Sequence, residues 1–323
     1  RTDTLFPYTT LFRSMPLTFH QGVATACWHD ADLQSTLRSA EKLERDYGYS
    51  ELEPLDQQAI GAVIGSKVFK GGVIDRGAGH VHPLNFSLGL AKAAMAAGAR
   101  LFERSEVVKI VQGPKALVHT AQGQVRTGQV ILACNGYLGG LDPKLAARVM
   151  PINNFIVATE PLGAAAADIL SQNIAVADTK FVVNYWRLSE DNRLLFGGGE
   201  SYGYRFPDIL KTVRKPMLRI YPQLADAKID YAWGGTLAIT TNRMPCFSRP
   251  APNILSASGY SGHGVAMAVM AGKVLAATVA GQSGQFDLLA NLPQRSFPGG
   301  AALRWPLLVL AMTWYGLRDR LGL

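Results

Sequence analysis

Hydrophobic positions after Asp30 recur at helical spacing. Leu33, Leu37, Ala40, Leu43 and Tyr47 share one face, Asp30 can cap the start and Gly48 can stop the run. The spacing predicts a second helix over residues 83–97, with Pro83 in its first turn and Gly98 beyond its end. Strands are then expected over residues 100–111, 115–120 and 129–133, the last holding the short apolar run VILA of a buried strand. A tight hairpin is expected at residues 121–124. After Pro151 the pattern turns to antiparallel strands over residues 153–159, 181–188 and 193–196, with hairpin chemistry at Ser189, Glu190, Asp191 and Asn192. A helix over residues 207–224, interrupted at Pro216, precedes a strand over 231–242. Finally, a strand over 254–257 feeds GYSGHG and a small-residue helix over 265–280.

This is a mixed α/β chain. Its 323 residues suggest about two domains at roughly 150 residues each. With 48% hydrophobic and 17% charged residues, it is neither a disordered tail nor a coiled coil. The three cysteines, Cys27, Cys134 and Cys246, are too scattered for a disulfide framework or metal knuckle, which points to a reducing, cytoplasmic setting. The formal charge of +8 is spread without a basic block, so no nucleic-acid partner is expected.

The two ends read differently from the middle. Residues 1–14 have no period, no capping and no signal-peptide layout; a non-native leader or an irregular strand both fit. Residues 301–323 form an amphiphilic stretch whose uncharged run is shorter than the roughly 20 residues of a bilayer span. It suits a helical extension docked on its own protein, or peripheral membrane contact.

The strongest local signal lies in residues 253–281, NILSASGYSGHGVAMAVMAGKVLAATVAG. Gly259, Gly262 and Gly264 stand where a strand turns into a helix, and glycine there permits positive φ and close approach of a ligand. The first N–H groups of such a helix lack partners and carry partial positive charge, so they suit an anion or a negatively polarised ring. A ligand-free β–α turn has the same pattern. Neither G-x-G-x-x-G nor the phosphate loop G-x-x-x-x-G-K-[ST] occurs.

Several stretches, in order, resemble FAD-dependent oxidoreductases of the D-amino-acid-oxidase superfamily, in the gamma-glutamylputrescine oxidase-like branch. These are GHVHPLNFSLGLAKAAMAAGARLFERSEVVKI, VILACNGYLGGL, NYWRLSEDNRLLFGGGES, the GYSGHG turn with its helix, and FPGGAALRWPLL. The resemblance covers residues 19–323. It implies an FAD-binding Rossmann-like domain and an antiparallel-sheet substrate domain. The substrate domain is expected over residues 15–80 and 149–248, the rest of the FAD domain over 81–148 and 249–290, and the extension over 291–323. The family's opening strand, G-x-G-x-x-G, helix and ribose-binding acid are missing, so the first βαβ unit is expected to be lost and FAD to be held weakly or not at all. Ala266 stands where sarcosine-type oxidases tend to carry Lys, which fits an amine without a nearby α-carboxylate.

The resemblance also implies site residues. Val107, Ala133, Asn135, Gly136, Gly259, Ser261, Gly262, Gly264 and Val265 would contact FAD. His263 would stand beside the flavin ring, Trp233 and Tyr185 would line the amine pocket, and Tyr260 is expected with these three among the catalytic residues. Each has a plainer alternative: His263 as a turn residue, and Trp233, Tyr185 and Trp186 as sheet core. His80 and His82 would lie on one side of a strand with a structural role, since no third ligand makes a metal site. Cys134 reads as a small buried residue and Glu200 as a solvated strand end.

The implied reaction moves a hydride from an amine's α-carbon to the flavin, giving an imine that hydrolyses to an aldehyde, with electrons passing to oxygen. Two alternatives remain: a dehydrogenase that feeds a membrane acceptor, and a non-catalytic fragment unable to hold FAD. Because residues 1–14 lack periodicity and resemblance, their deletion is expected to leave Tm within error; a loss equivalent to about 1 kcal/mol in a thermal scan would show real packing.

Overall fold

The computed structural model describes residues 18–201 and 207–300, together with Leu303, Pro306, Leu307, Val309, Leu310 and Trp314; at 200 and 201 only the backbone is described. The leader at residues 1–14 and most of the expected C-terminal helix lie outside the described residues.

The chain opens with β1 (His20–Cys27), α1 (Asp30–Tyr47), β2 (Leu52–Leu55), α2 (Gln57–Ile64), β3 (Gly71–His80) and α3 (Pro83–Ala96). Four short strands follow, β4 (Val107–Val111), β5 (Ala116–Thr120), β6 (Gln124–Thr127) and β7 (Val130–Leu132), and then the single turn α4 (Pro143–Ala146). Next come β8 (Met150–Thr159), β9 (Ala175–Asp178), β10 (Tyr185–Leu188), β11 (Leu194–Ser201) and α5 (Ile209–Ile220). The chain continues with β12 (Ile229–Ile239), β13 (Cys246–Ala251), β14 (Ile254–Ser258), α6 (Gly264–Val279) and α7 (Gly284–Ala290).

The chain divides into two compact units. The first comprises Arg1–Leu101, Phe155–Glu200 and Arg205–Gly234, and the second Phe102–Asn154, Ser201–Tyr204 and Gly235–Leu323. The division passes through β8 and β12. An eight-stranded sheet runs in the order β12-β8-β11-β10-β9-β1-β3-β2. Within it β1 pairs antiparallel with β3 and parallel with β9, and β10 is antiparallel to both β9 and β11.

The core of the first unit brings Ala24 and Ala26 of β1, Ile60 and Ile64 of α2, Trp186 of β10 and Val213 and Met217 of α5 together. Small residues on β1 let large aromatic rings pack opposite. Trp186 stacks on Phe196 with centroids 5.6 Å apart and meets Tyr221 edge-on at 6.0 Å. Trp186 is therefore a core residue, not a wall of an amine pocket.

The buried carboxylate of Asp178 ends β9. It accepts hydrogen bonds from Trp28 Nε1 at 2.7 Å, Asn184 Nδ2 at 2.6 Å, Asn184 N at 2.9 Å and Lys180 N at 3.2 Å. These bonds fit β10 starting at Tyr185 rather than near residue 181, because the N–H groups of Lys180 and Asn184 turn to the acid on either side of residues 181–183. Similarly, Arg104 takes φ +51° ahead of β4, so the strand expected from residue 100 begins only at Val107. Pro216 does not interrupt α5, because Val213, Met217 and Ile220 bury one continuous face across it.

In the second unit a three-stranded sheet has the order β13-β14-β7, with β14 parallel to β7 and antiparallel to β13. All of β14 is buried. It packs with Ala271, Val274 and Leu275 of α6 and Phe286 of α7. A separate three-stranded antiparallel sheet has the order β4-β5-β6.

The Tyr221 hydroxyl joins α5 to two loops by donating to Ile64 O (2.8 Å) and Ile169 O (3.2 Å), both buried. Tyr221→Phe keeps the ring and leaves those carbonyls short of a donor, so a loss of about 1–2 kcal/mol is expected. Urea unfolding should show it as a lower midpoint with unchanged slope.

Candidate flavin and substrate sites

The glycine turn of the second unit is built around close backbone approaches. Gly259 takes φ +70°, and a Cβ there would stand 2.5 Å from Thr240 Cγ2. Its N–H donates to Asn135 Oδ1 at 3.1 Å, and Asn135 itself adopts φ +46°. This bond ties the turn after β7 to the turn after β14. Gly136 presses on the backbone of residues 236 and 237, where a Cβ would meet Leu237 O at 2.7 Å. Ser261, at φ +50°, receives Thr240 N–H on its hydroxyl at 3.3 Å and donates its own N–H to Ala238 O at 3.0 Å.

From this base α6 starts without a side-chain cap at His263. Among the described residues nothing accepts a hydrogen bond from the N–H groups of Gly264, Val265 or Ala266. Space over Gly262 is open, and His263 and Val265 are exposed. Orphan donors at the positive end of a 16-residue helix, beside an open glycine surface, fit a negatively polarised group. The residues present therefore suit part of a flavin nucleotide.

The other expected contacts fall as follows. Ala133 precedes Asn135 in the same turn, and Val107 opens β4 opposite Thr120. Tyr260 faces inward: its ring is buried among Phe247, Phe286 and Val274, and its hydroxyl donates to Ala257 O at 3.1 Å. Burial pushes its phenol up to about 12. In the first unit Tyr185 lies on β10 over Gly197 of β11, and Trp233 lies on β12, 43% exposed. The side chain of Glu200 is outside the described residues. Cys134 is half-buried, not fully buried, and burial raises the thiols of all three cysteines. No group of three His, Cys, Asp or Glu among the described residues could hold a metal ion.

The histidine pair needs correction. His80 ends β3, whereas His82 is the N-cap of α3 and accepts Asn85 N–H on Nδ1 at 3.3 Å, so the two do not share a strand face. The missed partner is His20, which the antiparallel register of β1 and β3 sets opposite His80; the rings stack at 5.1 Å. His80 is 9% exposed, and among the described residues neither ring nitrogen makes a well-formed hydrogen bond, although Asn173 is near enough to act on the ring. Burial, and then the positive charge of Arg187, lower its pKa to about 4, while Asn173 opposes part of the shift. His80 is thus a neutral ring at physiological pH.

The comparisons with known proteins agree with this architecture. Residues 11–278 match the family described as FAD dependent oxidoreductase, DAO. The chain belongs to that family of flavoenzymes, and its cofactor is FAD. It is 41% identical over 307 residues to the gamma-glutamylputrescine oxidoreductase of Escherichia coli, covering 94% of this chain and 72% of that protein. It is also 41% identical over 295 residues to the probable oxidoreductase OrdL of Rhizobium meliloti, covering 90% and 69%. The glycine oxidase of Geobacillus kaustophilus shares the fold with a TM-score of 0.76 at 18% identity, over 90% of this chain and 80% of that one.

His80 makes a pH-dependent contribution with a definite sign. An unfolded histidine takes up its proton near pH 6.5 and folded His80 only near 4, so between these values the unfolded state binds more protons. Stability should therefore fall as pH drops through that window, by up to about 3 kcal/mol. Replacing the ring in His80→Phe should flatten this part of the profile, as measured by urea unfolding at pH 7, 6, 5 and 4.

Proposed function

We propose that the protein oxidises a primary or secondary amine of the gamma-glutamylputrescine type and passes the electrons to oxygen. The observation that carries this reading is the uncapped start of α6 on the glycine turn, with its unpartnered N–H groups. The 41% identity to an oxidoreductase named for gamma-glutamylputrescine supports the choice of amine. When bound, FAD supplies the redox chemistry by accepting a hydride from the amine's α-carbon.

The chain's own residues bind and orient. Backbone N–H groups from Gly262 to Val265 would face the negatively polarised side of the flavin. Asn135, Gly136, Gly259 and Ser261 keep the turn in shape, and Ala133 and Val107 would extend the contact toward the rest of the nucleotide. In this reading the second unit carries the cofactor and the first carries the substrate. Tyr185 and Trp233 would offer aromatic faces to the alkyl chain that carries the reacting amine, and exposed His263 at the helix start would stand beside the ring. Tyr260 supports the turn from its buried position. No helix among the described residues is long and apolar enough to cross a membrane, and the C-terminal stretch proposed for peripheral contact lies mostly outside them.

Titrating FAD into the purified chain and following flavin absorbance tests the cofactor site. Oxygen uptake with gamma-glutamylputrescine and putrescine then tests the reaction. Turnover with an artificial acceptor but without oxygen uptake would replace the oxidase by a dehydrogenase. Tyr185→Leu should lower kcat/KM for the amine about tenfold while leaving FAD absorbance in place.

A further inference from the structure

We infer that a pocket in the first unit, centred on the guanidinium of Arg187, binds the carboxylate of an amino-acid head group at the far end of the amine substrate. The inference rests on the amine-oxidising reading above for the identity of the ligand, but the pocket stands on its own geometry. It is a cavity of about 260 Å³ lined by Thr18, His20, His82, Asn173, Arg187 and Glu190, among others. That is room for the head group of a small molecule, not for a whole drug-sized ligand.

Arg187 is half-buried, and its one hydrogen bond among the described residues runs from Nη1 to Leu188 O at 3.1 Å. It takes part in no ion pair there. Other arginines of the same unit are matched: Arg193 is bound by Asp191 and Asp230, and Arg76 by Glu53 at 2.7 Å. Removing a guanidinium from water is unfavourable, and burial lowers the pKa of Arg187; the charge of Glu190 offsets only part of that shift and forms no ion pair with it. A planar fork with most of its donors unspent is the group that best accepts a carboxylate in bidentate fashion.

Three further features narrow the ligand. Exposed Glu190 lines the same cavity and has no hydrogen bond among the described residues, so the pocket offers a negative group for an ammonium next to a positive one for a carboxylate. Asn173, whose Nδ2 meets His20 Nδ1 at 2.9 Å and which also acts on His80, adds a polar group to the wall of the cavity. Tyr185 and Arg187 are two apart on β10 and so share a sheet face, about 7 Å from one another along the strand. One ligand can therefore present its reacting amine beyond Tyr185 and its zwitterionic end at Arg187. A gamma-glutamyl amide of a diamine has this layout, and a bare diamine lacks the second end.

L-Glutamine carries the same head group and serves as the probe. Calorimetric titration of the full chain should show millimolar binding that Arg187→Gln weakens about 10- to 100-fold and Arg187→Lys weakens less. This readout needs no turnover, so a failed oxidation assay leaves it intact and bears on the proposed function alone. Where turnover is observed, Arg187→Gln should raise KM for gamma-glutamylputrescine with little change in kcat. The ratio of kcat/KM for gamma-glutamylputrescine to that for putrescine should fall by at least tenfold. No glutamine binding up to tens of millimolar, equal binding by both variants and the unaltered chain, or an unchanged selectivity ratio would each overturn the inference. Inorganic phosphate binding more tightly than glutamine in an Arg187-dependent way would also overturn it, by making the pocket a phosphate site.

Discussion

The first unit depends on how a single buried carboxylate is satisfied. Asp178 sits at the end of β9 with 4% of its surface exposed, where an unpaired charge would be very unfavourable. Burial raises its pKa, and four converging donors oppose that shift. They come from Trp28 at the end of β1 and from Lys180 and Asn184 on the way into β10. Three neighbouring segments are thereby fixed to one point. Asn184 directly precedes Tyr185, so the network also sets the register that places Tyr185 opposite Gly197 and Trp186 opposite Phe196. If the strand slipped by one residue, Trp186 would leave the core and Tyr185 and Arg187 would enter it.

The second unit solves a different problem, which is to leave donors unpaired without losing the fold around them. The start of α6 is exposed and uncapped, yet the turn beneath it is closely held. Asn135 binds Gly259 N, Ser261 bonds on both sides to the backbone at 238 and 240, and buried β14 anchors the strand that enters the turn. Rigidity below and open donors above make a preorganised site, because little has to move when a charged or polarised group arrives. Gly259 and Gly262 take positive φ freely, and Ser261 at φ +50° is the strain accepted for that geometry.

Much of this was legible in sequence, for local reasons. Helical spacing and Gly48 mark α1, the Pro83 start marks α3, and GYSGHG marks the turn into α6, because prolines and glycines act within a few residues. The expected Asp30 cap does not form, since Asp30 is the first helical residue and His29 holds the cap position without a side-chain bond. What sequence reading missed depends on partners far along the chain. β1, α2 and β3 have weak local patterns and owe their form to pairing and to the shared core. The His20–His80 stack joins residues sixty positions apart, whereas the tempting pair His80 and His82 is parted by the end of a strand. Trp186 read as a possible pocket wall because alternation alone does not say which sheet face is covered; α2 and α5 cover its side. The remainder of the proposed site, above all His263 and Trp233, was legible only through family resemblance, since among the described residues neither side chain makes a hydrogen bond that would mark it out.

The pairing of charges gives a way to separate structural from functional polar groups in such a chain. Asp178 and Arg193 have their partners within the fold, so the fold itself explains them. Among the described residues Arg187 is half-buried with Glu190 near it but no ion pair, and three N–H groups at the start of α6 are left open. A sequence shaped for stability alone would fill such positions with apolar side chains or give them partners. They lie on two constructions, the sheet face of β10 with the neighbouring strand ends and the glycine turn, and each asks for negative charge: a carboxylate in the first and a polarised ring or phosphate in the second. An amine that carries a distal carboxylate and a flavin that is negatively polarised meet those two requirements together. A plain hydrophobic amine would meet only the second.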